Sequence, residues 1–237
     1  MASIAPDGTS QPTKERAVAV FDYDGTCIDG QSGSLLSVWL LKNKLLSPST
    51  VSGLVSWGFR YKLHLPYRQE RSRELIFRDL GSWPREEVFA LMARFHDEVL
   101  ADKYRPQAME EIAKRKEEGC AVVLISATFK AIAQEAAKKL GVDGYVATQM
   151  EVDERGRYTG RVMGDVIAGE YKVKTAARWA DEHLGEGAWY LAYAYGDHHS
   201  DTELLASAEH PFAVSPGPTL KKTAERNAWP ILDWKQG

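Results

Sequence analysis

Ala17-Val-Ala-Val-Phe-Asp-Tyr-Asp-Gly-Thr26 decides how this chain is read. Its first half, Ala17–Phe21, is a short apolar run with β-branched residues, the pattern of a strand buried on both faces of a parallel sheet. Its second half turns abruptly polar, so that Asp22, Asp24 and Thr26 gather where the strand ends. The same pairing recurs downstream. Ala121–Ile125 is followed by Ser126-Ala-Thr128, and Trp189–Ala194 precedes Gly196-Asp197. Phe212–Val214 and Ile231–Leu232 are weaker strand candidates.

Helical stretches separate these runs. Pro106–Glu118 opens with a proline suited to a first turn and stops at Gly119, while Ala131–Leu140 stops at Gly141. Glu170–Leu184 and Asp201–Ala208 continue the alternation. Strand alternating with helix predicts an α/β protein, a Rossmann-like, mainly parallel sheet with helices on both faces. Ligands of such sheets sit beyond the carboxyl ends of the strands, which is where the polar clusters fall. Two segments break the pattern. Residues 30–105 contain helical patterns and helix-start signals at Ser47-Pro48 and Ser82-Trp-Pro84 but no convincing strand, and they read as a helical insertion rather than a loop. Thr148–Val162, with Asp153-Glu-Arg-Gly156 at its centre, reads as a β-hairpin. The expected organisation is therefore a disordered lead over 1–16, a core over 17–29 and 106–237, and an inserted helical cap over 30–105.

Composition narrows the partners. The 237 residues are 44% hydrophobic and 27% charged, with a net charge of −3 and basic residues spread along the chain, which gives no reason to expect nucleic acid or an anionic membrane. Cys27 and Cys120 form neither a disulfide framework nor a metal-ligand pattern. No apolar run approaches the roughly 20 residues that span a bilayer. The first residues lack the basic and apolar regions of a secretory signal, so the cytoplasm is the expected compartment. The oligomeric state is left open.

Four motifs carry chemistry. Asp22-Tyr-Asp-Gly-Thr26 sets two carboxylates one residue apart at a strand end, where Mg²⁺ would neutralise them together with a substrate phosphate. One carboxylate can then act as nucleophile while the other handles a leaving group's proton. The competing reading is a turn in which Asp and Gly supply loop chemistry. Ser126-Ala-Thr128 offers hydroxyls and N–H groups to a phosphate oxygen, or an ordinary N-cap. Lys172 could offset charge on a transferring phosphoryl group, with Lys174 as its competitor. Gly196-Asp-His-His-Ser-Asp201 places two more carboxylates on one loop, Asp197 towards a metal and Asp201 behind it. His198 and His199 suggest zinc, but no Cys or third His lies at a suitable spacing, and they read as surface or rim residues.

In order and spacing this set resembles the haloacid dehalogenase superfamily, and most of all its phosphoserine phosphatase branch, over nearly the whole chain after Lys14. The resemblance implies a Mg²⁺-dependent phosphatase acting on a small phosphorylated metabolite. Asp22 would be the nucleophile and Asp24 the general acid and base. The metal would be held by Asp22, the backbone carbonyl of Asp24 and Asp197. Ser126 and Lys172 would hold the phosphoryl oxygens, with Asp201 behind the metal and Thr26 bracing the loop. On the substrate side stand Thr128, Gln31, which replaces the branch's ammonium-binding glutamate, and Arg71, where the branch has a carboxylate-binding arginine. Aromatic residues of the insertion, Trp39, Trp57, Phe59, Trp83 and Phe89, are expected to be mostly its core. Two alternatives stay open: a phosphotransferase or phosphomutase using the same aspartyl-phosphate, and a non-catalytic module phosphorylated on aspartate.

Overall fold

Side chains of the strand Arg16–Asp22 (β1) point alternately to two apolar layers, Ala19 and Phe21 to one and Val18 and Val20 to the other. That two-sided burial is what its sequence pattern requires. The structure is a computed structural model that describes residues 15–63, 65–66, 68, 70–81 and 83–234. Residues 1–14 of the expected lead, and Ser82 of an expected helix start, lie outside the described residues, whereas Arg16 already belongs to β1.

Four helices follow β1: Ser32–Lys42 (α1), Pro48–Lys62 (α2), Glu70–Leu80 (α3) and Arg85–Phe95 (α4). Ser47 caps α2, its side chain accepting from the Thr50 N–H at 3.3 Å, with Pro48 in the first turn. The alternation then resumes with Pro106–Glu117 (α5), Ala121–Phe129 (β2), Lys130–Leu140 (α6), Gly144–Val152 (β3) and Tyr158–Met163 (β4). It ends with Glu170–Leu184 (α7), Trp189–Gly196 (β5), Thr202–Ala206 (α8), His210–Val214 (β6), Pro218–Arg226 (α9) and Ile231–Leu232 (β7). No helix among the described residues is long and apolar enough to cross a membrane.

The strands form one sheet in the order β4-β3-β2-β1-β5-β6-β7, parallel except for the β3–β4 hairpin. Because β2 and β5 flank β1, with Phe21 opposite both Leu124 and Tyr195, the carboxyl ends of three strands meet at Asp22. This is the switch point of the sheet, where a crevice opens in open α/β folds.

Two expectations need correction. The strand expected to stop at Ile125 runs on to Phe129, so Ser126 and Thr128 lie within β2, which leads straight into α6. An irregular register against β3 between Ser126 and Phe129 marks the part where the strand bends to the site. Helix α9 was not anticipated, although Gly217-Pro218 at its start is a legible signal.

Helices α1, α3 and α4 bury Leu36, Trp39, Ile76, Phe77, Met92 and Phe95 in the same apolar cluster as Phe21 and Phe129 of the sheet. Trp83 and Phe89 pack against that cluster, whereas Phe59 is exposed. Helix α3 also lies close on β4. A methyl group at Gly81 would come within 2.7 Å of the Tyr158 carbonyl oxygen, and one at Gly160 would lie 3.4 Å from the Arg78 Cα. Gly81→Ala is accordingly expected to push α3 off the hairpin and to cost about 1–3 kcal/mol, read as a lower Tm in thermal denaturation. An unchanged Tm would show that this contact does not constrain α3.

Candidate active site

Gly25 allows the turn after β1 to close on itself. Its φ of +78° is left-handed, and a Cβ there would lie 2.0 Å from Asp197 Oδ2. The turn is tied by Cys27 and Ile28 N–H groups donating to the Tyr23 carbonyl and by Gly25 N–H donating to the Gly30 carbonyl. Asp22 is thereby fixed at the end of β1, buried, with Asp197 brought against the loop from the end of β5.

Lys172, in the first turn of α7, reaches back between carboxylates of two strand ends. Its Nζ donates to Asp22 Oδ1 at 2.6 Å and to Asp201 Oδ1. All three residues are buried, and Asp201 is also anchored by the His198 N–H at 3.0 Å. Gly196 leaves the room this requires, since a Cβ there would be 2.6 Å from Asp201 Cβ. Burial opposes the ammonium, but the two carboxylates outweigh it and raise the Lys172 pKa.

Asp22, Asp197 and Asp201 each offer an oxygen within 4.8 Å of the others. Burial, together with the neighbouring carboxylates, raises Asp22 well above the carboxylate range, with Lys172 opposing. Burial and Asp201 push Asp197 up to about 7. Asp197 Oδ1 is buried without a hydrogen-bond partner, as is Thr26 Oγ1. Hard oxygen donors, crowded negative charge and an unsatisfied carboxylate oxygen are what a small divalent cation requires, so the trio could hold a metal ion. Asp201 thus joins the carboxylate group that the sequence reading placed it behind, while also orienting Lys172. The Asp24 side chain is not in the trio. It turns to the start of α1, where Ser32 N–H and Oγ meet its two oxygens at 2.6 and 3.0 Å.

Ser126 Oγ accepts from the Thr128 N–H at 3.0 Å, and Thr128 Oγ1 lies 2.7 Å from Ser32 Oγ, so this hydroxyl cluster adjoins Asp24. Gln31 is exposed at the N-cap of α1 with no side-chain capping bond. Arg71, expected on the substrate side, is 52% exposed and pairs with Glu74 at 3.8 Å. Arg73, two residues further along α3, reaches the core instead, its Nε and a terminal nitrogen both donating to the Ala127 carbonyl at 3.0 and 2.8 Å. Burial lowers its pKa and the nearby Asp24 charge opposes that shift. The Arg68, Arg71 and Arg73 run names the segment, but only helical phase separates the inward arginine from the outward ones. His198 turns its ring to the Ser200 N–H and Oγ, capping the turn before α8 and stacking near His199, with ring centroids 3.9 Å apart. Lys174, the competitor of Lys172, is exposed and pairs with Glu170.

Carboxylates, a buried ammonium and hydroxyls converging at the switch point of a parallel sheet make this the site of an enzyme. The family model of haloacid dehalogenase-like hydrolases matches residues 19–206, and the chain belongs to that family. It is 25% identical to a histidinol-phosphatase of Neisseria meningitidis, across 92% of this chain and 99% of that protein. It is 26% identical to phosphoserine phosphatase SerB1 of Mycobacterium tuberculosis, across 99% and 77%. A solved structure of a Bordetella pertussis protein of unknown function shares the fold with a TM-score of 0.82 at 26% identity, covering 93% of this chain and 99% of that one.

A divalent cation bound by the trio is expected to raise the Tm of the wild type, and to go on raising it as the free cation concentration exceeds its dissociation constant. Gly25→Ala, which forces Asp197 outward, is expected to lose most of that rise while melting cooperatively on its own. A cation-dependent Tm shift equal to that of the wild type would show that Asp197 is not needed to hold the metal.

Proposed function

We propose that this enzyme hydrolyses a small phosphomonoester with the help of Mg²⁺, passing the phosphoryl group through Asp22. The observation that carries the reading is the Asp22 carboxylate at the end of the central strand, 2.6 Å from a buried ammonium and beside two further carboxylates. Asp22, Asp197 and the Asp24 carbonyl would hold the metal, which when bound screens the charge of the phosphoryl group. Asp22 then attacks phosphorus as nucleophile. Lys172, already on Asp22, would hold a phosphoryl oxygen, and Ser126, one residue past the strand neighbour of Asp22, would offer it a hydroxyl. Thr26 braces the loop.

Asp24 fits the acid and base role. Its burial raises the carboxyl pKa, against hydrogen bonds from Ser32 that favour the ion, so the protonated form needed by a leaving group is accessible. A phosphatase needs that proton on the departing oxygen, and the phosphatase names of the two relatives support the reading. Those names also support a phosphorylated amino compound as substrate. A neutral amide at Gln31 is compatible with an amine but supplies no charge to hold an ammonium, which favours substrates other than phosphoserine. Thr128 and Gln31 would stand on the substrate side. Arg73, rather than Arg71, is the arginine whose position favours contact there. Substrate must pass the insertion to reach buried Asp22, and closure over the phosphoryl group would exclude water.

Asp22→Asn is expected to lower phosphate release from p-nitrophenyl phosphate by about 10³-fold or more with the circular dichroism spectrum unchanged, and to abolish acid-stable labelling of the protein by phosphorylated substrate. Turnover comparable with the wild type would remove the covalent route. Chelation by EDTA is expected to stop the wild-type reaction and added Mg²⁺ to restore it, and persistent activity of the demetallated protein would refute the metal requirement. On a panel of histidinol phosphate, phosphoserine, phosphoethanolamine and phosphocholine, kcat/KM is expected to be higher for one of the others than for phosphoserine. Strong preference for phosphoserine would refute the inference from Gln31.

A further inference from the structure

Both side-chain oxygens of Asp24 are met by one residue of α1. Ser32 is the first residue of α1, and its N–H is one of the first-turn amides that have no partner within the helix. It donates to Asp24 Oδ1 at 2.6 Å, while Ser32 Oγ donates to Asp24 Oδ2 at 3.0 Å. The same Oγ lies 2.7 Å from Thr128 Oγ1, and Ser32 has no exposed surface. An amide N–H donates and never accepts, so Oδ1 is an acceptor whether Asp24 is ionised or not. A proton carried by Asp24 therefore belongs on Oδ2. A hydroxyl suits that oxygen in both states. It donates to the carboxylate, and it accepts from the acid while its own hydrogen turns to Thr128 Oγ1.

We propose that Ser32 is the positioning residue of the acid and base step, fixing the Asp24 carboxyl plane and reserving Oδ2 as the oxygen that carries the exchangeable proton. This rests on the phosphatase reading above. In the first half-reaction the Asp22 oxygen bonds to phosphorus as the ester P–O bond breaks. The Oδ2 proton passes to the departing oxygen, and Asp24, now ionised, receives the Ser32 hydroxyl hydrogen. In the second, water attacks phosphorus, its proton goes to Oδ2, and the bond from Asp22 to phosphorus breaks. Both carboxyl groups return to their starting states. Because Ser32 opens the first inserted helix and Thr128 belongs to the sheet, Asp24 is aligned only while these two parts are together.

The test compares phenyl phosphate with p-nitrophenyl phosphate, two esters of nearly one shape whose leaving groups differ in their need for a proton. Wild type, Ser32→Ala and Ser32→Cys are assayed with Mg²⁺, the near-isosteric cysteine variant serving if the alanine variant does not fold. Loss of positioning is expected to lower kcat/KM, which reads the steps through leaving-group departure, on phenyl phosphate by about tenfold more than on p-nitrophenyl phosphate, since the acid contributes most where the leaving group is basic. Ser32→Thr, which keeps a hydroxyl, is expected to move the ratio back towards the wild type. An unshifted ratio, or an equal loss on both esters, would reduce Ser32 to a structural part and overturn the proposal. Wild type that turns over neither ester would overturn the phosphatase reading and this proposal with it, an outcome distinct from normal wild-type turnover with an unshifted variant ratio.

Discussion

Three buried or partly buried carboxylates crowd the carboxyl end of the sheet around one ammonium that pairs with two of them, Asp22 and Asp201, and most of the local architecture follows from that imbalance. If Asp22, Asp197 and Asp201 are all ionised, Lys172 cancels one charge and two remain. Uncompensated charge in such a place is costly, so it is met by protonation or by another cation. The raised pKa values of Asp22 and Asp197 are the first response. Binding of a divalent ion would be a second, competing with the first, because a ligating carboxylate must be deprotonated. The glycines at 25 and 196 belong to the same constraint, since either methyl group would drive a carboxylate out of the cluster.

The backbone reasons for this placement were legible in the sequence. Apolar runs ending in Asp22, Ser126 and Gly196-Asp197 identify strand ends, and parallel topology brings strand ends to one side. Lys172 was legible only by its position in the motif order, since its residue type alone fits a solvated helix equally well. What failed to show were features set by packing. The bend that carries β2 past Ser126 depends on its irregular pairing with β3. Arg71 and Arg73 are equal as residues, and the difference between facing Glu74 and facing the Ala127 carbonyl is a rotation of α3 fixed by its apolar face of Leu75, Ile76 and Phe77. Ser32 gives no sequence signal, because its role comes from a free first-turn amide meeting a side chain from another loop.

Asp201 shows the same limit at finer scale. Spacing identified it as a carboxylate on the Asp197 loop, but not how near it would come. The turn at His199–Asp201, capped by His198, rotates Asp201 under Gly196 and onto Lys172. One acidic side chain can then orient the lysine and add to the field around Asp22 at once. A longer side chain at position 196 would separate the two effects.

Helices α1 and α3 reach the sheet end by two polar routes besides their apolar packing. Ser32 meets Asp24 and Thr128, and Arg73 meets the carbonyl of Ala127, so both terminate on the Ser126–Thr128 segment or on its hydrogen-bonded neighbour. An arginine donating twice to one carbonyl holds that segment at a fixed distance from α3, while the serine holds Asp24 at a fixed distance from α1. Displacement of α1 and α3 would therefore break contacts to Asp24 and to the hydroxyl segment together, though the Asp22–Lys172–Asp201 cluster contains no residue of either helix. That cluster is built from the end of β1, the first turn of α7 and the turn after β5, whereas the hydrogen bonds to the Asp24 carboxylate come from the start of α1.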